Sequence, residues 1–435
     1  MSSHRSVLRL TRRSLMGAAM VGALVLGAAG SAQAEKVKLT VWSWVADLAP
    51  VAKAFEAAHP DISVELLSVG NGPAHYMKMR NALKAGSGAP DIVQVEFFML
   101  RSFRQADALL DIGPLGGAAL KDEYADWAWA QVTDGGKVIA LPWDGGPMGL
   151  IYREDVLAAN GIAVPATWDD FYNASKTLKE KGQGALLTNT SFSDGGWVAA
   201  MLWQAGWKPF VIDGRSIKVS IKDDAAKKFA AYWQKMADEK LIGTTGEFTP
   251  EWYSQLDSGK TAAWISAAWG PMFMASVVPN SAGRWRAAAM PSWEAGKPVA
   301  ANWGGSTLAA MAGTAHPREA ALFLIWALGP EGAAEMQKAT PYLFPVRKAA
   351  LNDARFENAE VDFFGKQKVN AVFAESSKNV DTSFEWSPFQ DFLHAQLGAE
   401  FAAAATGTQS FDAALDKVQT QVEEFVVSQG FELQK

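Results

Sequence analysis

Carboxylates and tryptophans placed where the chain cannot continue a regular element are the residues able to do chemistry here. Trp44 and Asp47 follow Lys38-Leu-Thr-Val-Trp42, Glu96 follows Pro90-Asp-Ile-Val-Gln-Val95, and Asp144 and Gly146 stand inside Pro142-Trp-Asp-Gly-Gly-Pro147. Trp197 opens an apolar run behind Gly195-Gly196, Trp269 precedes Gly270-Pro271, Trp303 lies in Asn302-Trp-Gly-Gly-Ser306, and Trp386 precedes Ser387-Pro388. Flat rings beside fixed acceptors suit a carbohydrate, whose C–H faces need a platform and whose hydroxyls need partners. The same set suits a polyamine or another organic cation, through ion pairing and cation–π contact. Glu96 and Asp144 could also serve as the acid and nucleophile of a retaining glycosidase if they stood about 5 Å apart. Nothing in the sequence requires that arrangement. Each residue also has a plainer role: tryptophan is more often core than contact, and loop carboxylates are often merely solvated. Asp144 would equally brace a chain crossing.

Other chemistries find little material. Past residue 34 the histidines are His59, His75, His316 and His394, scattered without metal-ligand spacing, and cysteine is absent. Gly70-Asn71-Gly72 lacks a third glycine at dinucleotide spacing and runs into Pro73. The expectation is a binding protein without metal, cofactor or enzymatic activity.

The elements that must position these residues alternate. Lys38–Trp42 reads as a strand, Ala49–Ala58 as a helix, Ile62–Leu67 as a strand, Ala74–Ala85 as a helix closed by Gly86, and Pro90–Val95 as a strand. That is the pattern of βαβ units, in which ligands meet the loops beyond the strand carboxyl ends. Val138–Leu141 and Leu150–Tyr152 are apolar without alternation, as strands buried on both faces are. Between them the Pro142–Pro147 stretch breaks the ladder, so the chain crosses from one unit to another. Asn302–Ser306 repeats the break ahead of a strand over Thr307–Met311, and Ala339–Pro345 is a candidate third crossing. Thr167 and Asp170 form the ends of a capping box, which makes Trp168 a packing residue. Helices are expected over Gly195–Ala205, Asp224–Lys240, Glu251–Ser258, Pro317–Leu328 and Phe411–Val427.

The N-terminus stands apart. Arg5, Arg9, Arg12 and Arg13 precede an apolar run from Leu15 to Gly30, and Ala32-Gln-Ala34 offers a cleavage site. Thr11-Arg-Arg-Ser-Leu-Met16 resembles a twin-arginine signal. Removing residues 1–34 takes four Arg and no acid from a net charge of −6, leaving −10. Such an acidic surface argues against nucleic acid and anionic membranes as partners. The remaining 401 residues exceed what one core usually supports, so two domains are expected, in a monomeric periplasmic protein.

Gly136-Lys-Val-Ile-Ala-Leu-Pro142 with Leu150-Ile-Tyr-Arg-Glu-Asp155, then Gly161, Pro165, Thr167, Trp168 and Phe171, resembles the bacterial family 1 extracellular solute-binding proteins. Gly88-Ala-Pro-Asp-Ile92, Ser258-Gly-Lys-Thr-Ala-Ala263 and His316-Pro-Arg-Glu-Ala-Ala321 extend the likeness over nearly the whole chain after the signal. The resemblance implies an α/β, two-lobed periplasmic-binding-protein fold, each lobe a mostly parallel sheet flanked by helices, joined by hinge strands. It implies lobes of residues 35–143 with 306–343 and of 144–305 with 344–435. It also implies a carbohydrate ligand, held by Trp44, Asp47, Glu96, Asp144, Gly146, Trp197, Trp269 and Trp303, and membrane permease subunits of an ABC importer as partners; Trp386 is added as a late cleft residue from its place before Ser387-Pro388 alone. Where the family's first loop more often carries Asn, Asp or Lys, this chain has Trp44, so the particular sugar does not carry over.

Overall fold

Residues 36–45, 48–70, 72–181, 184–339 and 343–434 are described by a computed structural model. The expected signal over residues 1–34 and the candidate Asp47 lie outside them. Two five-stranded sheets organise the chain. The first runs Ile62–Leu67, Val37–Trp42, Ile92–Glu96, Ser306–Ala310, Leu141–Pro142; the second runs Ile242–Gly243, Leu186–Asn189, Thr261–Ala267, Met148–Arg153, Trp285–Ala289.

The sheets share one plan. In each, the first three strands are parallel and the fourth and fifth bring antiparallel pairings. The fourth strand is the one the chain enters straight after a tryptophan and paired-glycine break: Ser306–Ala310 in the first sheet, Met148–Arg153 in the second. All residues of Met148–Arg153, Thr261–Ala267 and Ser306–Ala310 are buried, so their apolar runs reflect two covered faces. The run expected over Val138–Leu141 divides into Lys137–Val138, which pairs with Thr133–Asp134, and Leu141–Pro142, which joins the first sheet.

Helices cover the sheets by ordinary amphipathic logic. Leu48, Val51, Ala52 and Phe55 form one buried stripe on Leu48–Ala58, and the Phe55 ring meets Phe323 edge-on at 5.0 Å. Thr167 and Asp170 close their capping box, with Asp170 N donating to Thr167 Oγ1 at 3.1 Å and Thr167 N donating to Asp170 Oδ2 at 3.0 Å. The Gly195–Gln204 helix crosses Gln390–Ala405 at glycines. A Cβ on Gly195 would lie 1.8 Å from the His394 carbonyl oxygen, and one on Gly398 would lie 2.7 Å from that of Ser193. This close approach brings the residues before Gly195 up to the start of the late helix.

The breaks themselves are zipped together. Asp144 Oδ1 accepts from Ser306 N and Ser306 Oγ, both at 2.7 Å. Asn302 Oδ1 accepts from Gly146 N at 2.7 Å, and Trp303 N donates to the Gly146 carbonyl at 2.8 Å. Asp144–Gly145 also pairs with Phe344–Pro345, so three segments of the chain meet side by side.

Candidate ligand cleft

Beyond the carboxyl ends of both sheets lies a cleft of 760 Å³. One wall comes from Glu96, Phe97 and Phe98, where the Ile92–Glu96 strand turns into the Phe97–Gln105 helix, together with Tyr76 and Arg80 of the Gly72–Ala85 helix. The other comes from Ser193 to Gly196, past the end of Leu186–Asn189, and from Trp386, Asp391 and His394. Asn302, Trp303 and Gly304 of the second break close it. The walls touch at one end, where Arg80 pairs with Asp391 and the Phe98 and His394 rings lie 4.7 Å apart.

Two carboxyl groups face each other across this space. Glu96 is fixed by Tyr76: the tyrosine hydroxyl donates to Glu96 Oε2 at 3.0 Å and accepts from Glu96 N at 3.0 Å. Burial pushes the Glu96 carboxyl up to about 7; the Tyr76 hydrogen bond opposes this, while the charges of Asp194 and Asp144 add to it. Asp194 caps the Gly195–Gln204 helix, its Oδ1 accepting from Gly196 N at 2.7 Å and Trp197 N at 3.2 Å. Enclosure by the walls raises Asp194 above the usual range, although its side chain is open to cleft water; the two amide N–H groups and the Trp303 indole draw it back. Burial holds the His394 ring down to about 3, a neutral imidazole whose Nε2 meets no partner among the described residues.

Of the residues singled out from sequence, Glu96, Trp303 and Trp386 are brought together on the cleft walls. Trp269 stands behind Trp303, ring centroids 4.8 Å apart, its Nε1 donating to the Trp303 carbonyl at 3.1 Å. Trp44 rests edge-on against His75 at 5.1 Å, outside the cleft-lining set. Asp144 and Gly146 are buried in the crossing contacts. Trp197 is 1 % exposed and its Nε1 donates to the Ile265 carbonyl, which places it in the core. Tyr76, Arg80, Phe98 and Asp194 join the cleft without a reading from sequence, as do Asn302, which the sequence marks only as part of the second break, and His394, which it marks only as a scattered histidine. Asp194 alone had a local signal, an Asp-Gly-Gly start to an apolar helical run.

The arrangement is a concavity between two sheets, with acids on both walls and a tryptophan at the crossing. Residues 43–334 match the profile of the bacterial extracellular solute-binding proteins.

The chain belongs to that family.

Among relatives of this solute-binding protein, the lactose-binding protein of Rhizobium radiobacter is 27% identical over 92% of this chain and 95% of its own. The structure of an ABC transporter associated binding protein from B. animalis subsp. lactis Bl-04, in complex with beta-1,6-galactobiose, superposes with a TM-score of 0.78 at 31% identity. That match covers 92% of this chain and all of the other. The galacto-N-biose-/lacto-N-biose I-binding protein from Bifidobacterium longum shares the fold, at 23% identity and a TM-score of 0.79 over 92% and 99% of the two chains. The solute-binding protein is therefore two-lobed, one sheet per lobe. No described helix is long and apolar enough to cross a membrane.

Proposed function

We propose that this solute-binding protein captures a short, uncharged carbohydrate between its lobes by hinge closure and presents the closed form to the permease of an ABC importer. The observation that carries this reading is the convergence of Trp303, Glu96 and Asp194 on one 760 Å³ cleft. A volume of that size lies within the roughly 300–1,000 Å³ of small-molecule sites, and a ring platform flanked by acceptors is what a sugar needs. The sugars named for the relatives agree with it. Ligand touching both walls binds the closed form best, and that differential affinity drives closure. Residues 1–34 act as a twin-arginine export signal removed near Ala34, the lobes divide near residues 143, 305 and 343, and the protein binds without turning its ligand over.

Calorimetry on residues 35–435 tests this with lactose, galactobiose, raffinose and spermidine. A sugar should bind with an affinity indifferent to salt, since no ion pair forms. Glu96→Ala should weaken it about ten- to hundredfold, the loss of one hydrogen bond to a charged group. Salt-sensitive spermidine binding with no sugar binding would replace the reading by an organic-cation carrier.

A further inference from the structure

Each wall of the cleft carries an acid at a helix start, and the two acids are used differently. Asp194 precedes the Gly195–Gln204 helix and spends Oδ1 on the amides of Gly196 and Trp197, the ordinary work of an acid in that position. Glu96 precedes the Phe97–Gln105 helix in extended backbone, yet its side chain caps nothing. It is held instead by Tyr76 of the Gly72–Ala85 helix.

The geometry leaves Tyr76 one way to hold it. The tyrosine ring is buried, and contacts with His75 at 5.4 Å, Phe103 at 5.9 Å and Phe98 at 6.3 Å fix where the hydroxyl stands. That oxygen accepts from Glu96 N at 3.0 Å. An amide N–H only donates, so the hydroxyl proton points elsewhere, and the one acceptor it meets among the described residues is Glu96 Oε2, at 3.0 Å. Burial pushes the ionisation of Tyr76 well up, so this proton stays in place through the neutral range.

Oε2 is therefore committed as an acceptor inside the wall. Oε1 meets no partner among the described residues and is not sealed from the cleft that Glu96 lines. The charged and titratable groups around it are Arg80 on the Tyr76 helix, Asp194 on the other wall, Asp144 at the first crossing, and Asp391 and His394 on the late helix.

We propose that Tyr76 is a positioning residue: it keeps Glu96 from capping its own helix and turns Oε1 to the cleft as an acceptor, so that the ligand must present a donating hydroxyl there. This rests on the carbohydrate reading above. A sugar hydroxyl meets the demand, whereas a ring oxygen, a glycosidic oxygen or an O-methyl group does not.

Calorimetry with lactose, galactobiose and raffinose tests it through glutamine. In Glu96→Gln the side-chain oxygen is claimed by the Tyr76 proton, so the amide NH2 faces the cleft and a donor replaces the acceptor. A sugar that binds the unaltered protein should then lose about ten- to hundredfold, as much as with Glu96→Ala. Tyr76→Phe keeps the ring but frees the acid, and should weaken the sugar about three- to tenfold. The double variant lets Gln turn its oxygen outward, so it should bind several-fold more tightly than Glu96→Gln alone. Burial puts the Glu96 carboxyl at about 7, against the Tyr76 hydrogen bond, so affinity should fall as the pH drops below 7 and the acceptor gains a proton. Tyr76→Phe should move that fall to higher pH. Losses that simply multiply in the double variant, or an unmoved pH profile, would make Tyr76 a packing residue and overturn the proposal, as would Glu96→Gln binding within twofold of the unaltered protein. Those outcomes leave the carbohydrate reading standing. If no sugar binds the unaltered protein, that reading falls and the role of Tyr76 with it.

Discussion

Trp143-Asp144-Gly145-Gly146 and Asn302-Trp303-Gly304-Gly305 carry nearly the same residues, and their glycines are required for different reasons. At the first break the problem is room. A Cβ on Gly145 would lie 2.9 Å from the Trp127 ring, and one on Gly146 would lie 1.9 Å from the Trp303 carbonyl oxygen. At the second break the problem common to both glycines is direction, since Gly304 and Gly305 take φ of +77° and +84°, and room adds to it only at Gly305, whose Cβ would lie 2.9 Å from the Asp144 carbonyl oxygen. The tryptophans part company as well. Trp303 lines the ligand cleft, whereas Trp143 lines a smaller cavity of 260 Å³ with Leu328, Pro345 and Arg347. A crowded break and a bent break thus complete one another. The first supplies a carboxylate that ties down Ser306, and the second supplies an amide that ties down Gly146.

The largest test of that contrast is Gly146→Ala. Because the obstructing atom is backbone, the crossings must move apart, and a destabilisation of about 3 kcal/mol or more is expected in urea unfolding. A loss under about 1 kcal/mol would show that the first break is not limited by space.

Asp144→Ala comes next. It leaves the Ser306 amide and hydroxyl without their buried acceptor and should cost about 2–3 kcal/mol by the same measurement. Asp144→Asn keeps an acceptor oxygen and should cost less. Equal effects of the two would mean that the charge, not the acceptor, matters at the crossing.

The smallest effect separates the tryptophans by function. Trp303→Leu and Trp143→Leu both remove buried ring volume and should both lower the melting temperature. Only Trp303→Leu should weaken sugar binding beyond that, about two- to tenfold by calorimetry, with Trp143→Leu within twofold. A matching loss at Trp143 would erase the difference between the two breaks.

What sequence reveals of this molecule follows the range of the signal. The helices and long strands are legible because each has its own period: the stripe of Leu48, Val51 and Phe55, the capping box of Thr167 and Asp170, the unbroken apolar run into Tyr152. The crossings are legible because proline and paired glycine cannot continue a ladder. The cleft is harder. Tyr76 holds Glu96 from 20 residues away and His394 reaches the start of the Gly195–Gln204 helix from nearly 200 away, and neither contact leaves a mark on its own neighbourhood. Trp197 and Asp194 stand three residues apart at one helix start. A helix N-terminus turns its cap residue toward the open end and its first apolar residue toward the core, so the acid faces the cleft and the ring does not. Short edge strands such as Ile242–Gly243 and the Phe210–Asp213 hairpin arm carry too few residues to announce themselves.

The position of Ser306–Ala310 has a bearing on how the molecule is made. It fills the gap between Ile92–Glu96 and Leu141–Pro142, so the first sheet stays open until synthesis has passed residue 310. Pairings so distant along the chain form slowly, and the early strands must wait with their edges uncovered. Such a polypeptide completes its first sheet only after some seven-tenths of its 435 residues have been made.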